Sequence, residues 1–178
     1  LGDVYKRQVS IKGGYYGSSP GATAAIYVNG CSGSINIDNG QFVMGLDPGP
    51  MGIYIVNSKG VVVNRPQILE CGSYPVAIDN SSFCDVRPLI KNYNVSVGGS
   101  PVTMFNTCER NHIVPIFISK ANASGYGVLA VGAGHNYNHF DVTAIAPASV
   151  TGSKLNINGV NIVATGLAGT NMVSGVIA

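Results

Sequence analysis

Apolar residues fall in short runs along the whole chain, each bounded by Gly, Asn, Asp, Ser or Pro. Nowhere do they recur at i, i+3, i+4 and i+7 for long enough to make an amphipathic helix. The runs are rich in β-branched residues and turn formers recur at strand spacing, which predicts an all-β fold. The clearest stretch is Met51 to Glu70, where Ile53-Tyr54-Ile55-Val56 and Val61-Val62-Val63 flank Asn57-Ser58-Lys59-Gly60. A short polar connector ending in Gly predicts a tight hairpin with Gly60 at positive φ. Apolar residues on both faces predict that this hairpin is buried, with Ile53, Ile55, Val61 and Val63 in the core. Pro66 lacks a ladder donor and is expected to end or edge the second strand.

Further strands are predicted at Val9–Lys12, Ala22–Val28, Val95–Val97, Val102–Phe105, Ile113–Ser119, Val128–Val131 and Phe140–Ile145. A second hairpin is expected around Asp38-Asn39-Gly40, between Ser34–Ile37 and Gln41–Leu46, with Asp47-Pro48-Gly49-Pro50 as a rigid turn after it. Asn158-Gly159, between Leu155–Ile157 and Val160–Ile162, has the chemistry of a type I′ turn. These elements predict an antiparallel β-sandwich, jelly-roll or immunoglobulin-like, over residues 9–147. A linker-like stretch runs over 146–153, and residues 148–178, which include its second part, are expected to form a hairpin segment that closes the same domain or begins a second module. Ile35–Leu46 and Leu155–Leu167 echo one another at a spacing of about 120 residues; tandem modules would explain this, but chance likeness of two Asn-Gly hairpins is favoured. Residues 1–8, LGDVYKRQ, look like a non-native N-terminal segment, and the chain ends inside an apolar run, as a metagenomic fragment would.

Composition narrows the function class. Only 10% of residues are charged, against about 25% in ordinary domains. Glycine numbers 24, tryptophan is absent and the net charge is +2. A neutral hydrogen-bonding surface points to an extracellular, cell-surface or virion setting. So small a charge argues against a nucleic-acid partner, and no apolar run is long enough for membrane insertion as a helix.

Candidate chemistry is sparse. Cys31, Cys71, Cys84 and Cys108 lack zinc or redox spacing and sit beside polar residues, which predicts two disulfides, preferably Cys31–Cys71 and Cys84–Cys108. His135, His139 and Asp141 could supply three ligands to a divalent ion, although HxxxH converges on a helix and this segment reads as loop into strand. A neutral polar loop is the favoured alternative. Tyr15, Tyr16, Tyr137, Asn136 and Asn138 are candidate contacts for a sugar, with aromatic faces and amides; edge packing is the commoner role of Tyr15 and Tyr16. Asn80, Asn94 and Asn122 head glycosylation-type triplets. Glu70 and Glu109 would make a glycosidase pair only if folding joined them. No nucleophile elbow or phosphate loop occurs, so no enzyme and no cofactor are expected. The chain is expected to be a structural or adhesive module of a virion fibre or tail, an extracellular filament or a cell-surface protein, assembling as a homo-oligomer or tandem array. The alternative is a carbohydrate-binding module of a secreted protein, with a surface glycan as partner.

Overall fold

A computed structural model describes residues 9–16, 22–43, 51–71, 74–91, 100–118, 128–145, 155–157, 160–162, 166–168 and 171–174. Among them are nineteen strands and no helix. In chain order these are β1 (Val9–Lys12), β2 (Tyr15–Tyr16), β3 (Ala24–Asn29), β4 (Ile35–Asp38), β5 (Gln41–Val43), β6 (Met51–Val56), β7 (Val61–Glu70), β8 (Val76–Asp79), β9 (Asp85–Lys91) and β10 (Val102–Phe105). They continue as β11 (His112–Ile113), β12 (Ile116–Ile118), β13 (Val128–Val131), β14 (His139–Asp141), β15 (Thr143–Ile145), β16 (Leu155–Ile157), β17 (Val160–Ile162), β18 (Gly166–Ala168) and β19 (Asn171–Ser174). The predicted strand at Val95–Val97, the turn at Asp47–Pro50, the linker at 146–153, residues 1–8 and the triplets headed by Asn94 and Asn122 lie outside the described residues.

The all-β expectation holds, but the sandwich does not. The strands stack in parallel as a β-solenoid of about four turns. One sheet runs β17-β16-β13-β10-β8-β6-β3. The other, of twelve strands, follows β1-β4-β7-β9-β11-β14-β19-β18, with β2, β5, β12 and β15 alongside. Ile26 pairs with Ile53, Ile53 with Val76, Val76 with Val102, Val102 with Val128 and Val128 with Leu155. The repeat is therefore one turn of 23 to 27 residues, not the 120-residue echo. Indeed Ile35–Asp38 lies in the twelve-stranded sheet, whereas Leu155–Ile157 lies in the other.

The central stretch shows why the architecture was misread. β6 and β7 are not hydrogen-bonded to each other: β6 pairs with β3 and β8, β7 with β4, β5 and β9. Asn57-Ser58-Lys59-Gly60 is a corner that passes the chain from one sheet to the other. Its backbone still uses the expected chemistry, with φ of 50° at Asn57 and 73° at Gly60. The hairpin expected at Asp38-Asn39-Gly40 is likewise a bend, with β4 and β5 both laid against β7. Pro66 neither ends nor edges its strand, since β7 runs on to Glu70 between β4 and β5 on one side and β9 on the other. It falls where the β7–β9 register shifts between Asn64 and Gln67, so its missing donor coincides with a gap in the ladder. The one predicted hairpin that forms is β16–β17, antiparallel with Leu155 opposite Ile162 and Ile157 opposite Val160. Since β16 also pairs with β13 and β19 with β14, the C-terminal strands continue both sheets.

Inside the coil, equivalent positions stack in columns. Ile26, Ile53, Val76, Val102 and Val128 form one, and Ile37, Val63, Val86, Ile113, Phe140 and Val173 another; all are buried. Ile53, Ile55, Val61 and Val63 are fully buried, as the apolar pattern predicts. Burial alternates in strands such as β4 and β9, whereas β8 and β10 bury three successive residues each.

Candidate functional site

The corner between the two sheets positions the richest surface chemistry. Lys59, Ser82, Glu109 and Asn136 bridge one another in parallel across four turns, and Val62, Asp85, His112, His139 and Met172 align two residues past Gly60 and its counterparts. Between these rows, Gly60, Phe83, Arg110 and Tyr137 occupy one column. Each has a left-handed backbone, with φ of 73°, 57°, 55° and 57°. Such a conformation is natural for Gly and unfavourable for bulky side chains, so three successive non-Gly residues there make the column a candidate for a side-chain role.

That role is visible on the surface. Phe83 is 54% and Tyr137 62% exposed. The guanidinium carbon of Arg110 lies 5.4 Å from the Phe83 ring centre and 5.9 Å from that of Tyr137. At these distances the cation is attracted to the faces of both rings. On one flank, Asn57, Lys59, Asn80, Ser82, Thr107 and Glu109 line a polar groove. The Asn80 amide donates to Asn57 Oδ1 at 2.8 Å, and the Asn136 amide to Glu109 Oε1 at 3.5 Å. On the other flank, the His112 and His139 rings stack 4.9 Å apart, and Asp85 meets both Arg87 at 2.7 Å and His112 at 3.3 Å. Exposed rings, cations and amides on one ridge can grip a ligand with apolar faces and polar edges.

Of the residues singled out from sequence, Tyr137, Asn136 and His139 belong to this ridge. Asn138 does not, because it points into the coil. Its Oδ1 accepts from the Asn111 backbone N–H at 2.9 Å and its Nδ2 donates to the Cys108 carbonyl at 2.9 Å. Asn111 makes the equivalent bonds to Cys84 and Ser81, and Asn171 to Asn138 and His135, so three buried asparagines form a ladder that closes the corner. Tyr15 and Tyr16 form β2 against β5 rather than a loop.

The proposed metal set is not assembled. His135 is only 6% exposed and points inward, whereas His139 and Asp141 flank the buried Phe140 and face outward. Among the described residues no group of three His, Cys, Asp or Glu is placed to hold a metal ion. The disulfides are also corrected: all four cysteines carry free thiols. Cys31 is at the corner and Cys71 beyond the far end of β7, while Cys84 and Cys108 occupy different inward columns. Burial pushes the Cys108 thiol up to about 11 and raises that of Cys84, which keeps both protonated. Glu70 and Glu109 are not joined, since Glu109 aligns with Lys59, ahead of β7, and Glu70 ends that strand.

Phe83 and Arg110 were missed. Their signal was the corner repeat itself, which places Phe83, Arg110 and Tyr137 each 27 residues apart. Comparison with family models, with curated proteins and with solved structures finds no match.

Proposed function

We propose that this chain is a non-enzymatic adhesive module of an extracellular filament, virion fibre or cell-surface protein, with the Phe83–Arg110–Tyr137 ridge as its contact surface. The observation that carries the reading is the exposed aromatic–guanidinium column held in left-handed backbone on three consecutive turns. A solenoid suits the role. Each turn supports only its neighbours, so the scaffold is stiff along its axis and repeats surface groups at about the 4.8 Å strand spacing. The test is retention of beads coated with the full chain on a panel of bacterial and animal cell surfaces under flow. The parent chain is expected to hold beads that the Phe83→Ala/Arg110→Ala/Tyr137→Ala variant releases. Failure of the parent to hold on any surface contradicts adhesion, and equal retention by the variant moves the contact surface elsewhere.

A further inference from the structure

We infer that the ridge takes an acidic polysaccharide, one sugar ring stacking on the open face of Phe83 above Gly60 while its carboxylates meet Lys59 and Arg110. This rests on the adhesive reading and names its ligand. Arg110 covers one face of the Phe83 ring. The next position along the column on the other side is Gly60, which has no side chain. A Cβ built there would find only the Gly33 carbonyl oxygen, at 3.8 Å. The stack therefore stops at Phe83 and leaves an open shelf beside the groove that Asn80, Ser82, Lys59 and Glu109 line. A pyranose fits both halves, with an apolar C–H face for the ring and a rim of hydroxyls for Asn80, Ser82 and Glu109.

Charge selects the acidic class. Asp85 is already engaged by Arg87 and His112, whereas Glu109 accepts from the neutral Asn136 amide and keeps its negative charge. Among the described residues, Lys59 and Arg110 enter no ion pair within 4 Å, so the ridge offers two open cations against the single carboxylate of Glu109. They stand two turns apart, roughly 10 Å along the axis at the usual strand spacing. A linear chain lying along the solenoid, with a carboxylate every sugar or two, can meet both while one ring occupies the shelf. A phosphate on every residue demands far more positive charge than the +2 of this chain, which disfavours single-stranded nucleic acid.

The test is an array of uronate- and sialate-bearing glycans with their carboxyl-reduced counterparts and an oligothymidylate, read with the full chain and followed by titration calorimetry on the best acidic member. Acidic glycans are expected to bind at least about tenfold more tightly than their reduced forms. Gly60→Asn fills the shelf with a residue that tolerates left-handed backbone. It is expected to lower affinity at least about tenfold with little change in thermal midpoint, and Phe83→Ala to do the same. Equal binding of reduced glycans overturns the acidic specificity, and undiminished binding by Gly60→Asn overturns the shelf. Preference for the oligothymidylate replaces the ligand class. A blank array alongside firmly retained beads refutes the glycan and leaves adhesion standing; blank array and released beads together remove adhesion as well.

Discussion

Asn111, Asn138 and Asn171 each satisfy a backbone N–H on the preceding turn with Oδ1 and a carbonyl with Nδ2, in places water does not reach. Asn138→Ala strands the Asn111 N–H and the Cys108 carbonyl together. With a cost of about 1–3 kcal/mol for each buried group left unpaired, the variant is expected to lose about 2–6 kcal/mol in urea unfolding. Lys59→Ala, on the exposed corner, should move the midpoint by less than about 0.5 kcal/mol. His135 gives a pH dependence. Burial lowers its pKa below the ordinary value, only partly opposed by the Val131 carbonyl. The unfolded chain then takes up a proton near pH 6.5 that the folded chain accepts only at lower pH. Stability is therefore full above about pH 6.5 and declines as the solution is acidified through the folded pKa. Urea midpoints at pH 7.5 and pH 5 should differ more for the parent than for His135→Gln; equal differences would sink this assignment.

At the scale of the element, the corner Asn57–Gly60 was legible in chemistry and illegible in connectivity. Asn followed by a polar pair and Gly forms left-handed turns both in hairpins and in solenoid corners, and nothing local distinguishes them. The deciding feature is what each strand pairs with, 23 to 27 residues away. The repeat was masked because corners vary by a residue: Asn57-Ser58-Lys59 becomes Asn106-Thr107-Cys108-Glu109 two turns on. Burial was readable from the apolar runs, and Ile53, Ile55, Val61 and Val63 are all in the core. The ridge was half readable: Tyr137 and Asn136 stood out as a polar aromatic loop, whereas Phe83 and Arg110 acquire meaning only when stacked beneath them. Gly60→Val tests the corner backbone. Its φ of 73° should make the β-branched side chain cost about 1–2 kcal/mol, measured as a drop in unfolding free energy, while Gly60→Asn stays close to the parent.

Over the whole molecule, the parallel in-register stack explains the composition. In the described parallel strands, paired residues lie about 4.8 Å from their counterparts on the next turn, so a column of like charges would repel and a column of Ile, Val, Asn or Ser would not. A chain with only 10% charged residues follows from that geometry. Apolar columns also concentrate stability between neighbouring turns. Ile55→Ala, which opens a gap in a fully buried column, is expected to cost about 2–4 kcal/mol. The central claim is that strands pair in parallel with partners one turn away, and backbone NOE spectroscopy of the isotope-labelled chain tests it most directly. The account predicts interstrand contacts of parallel pattern linking Ile53 to Val76, Val76 to Val102 and Val102 to Val128. Close Hα–Hα contacts joining residues 53–56 to residues 61–63 in antiparallel register would contradict it.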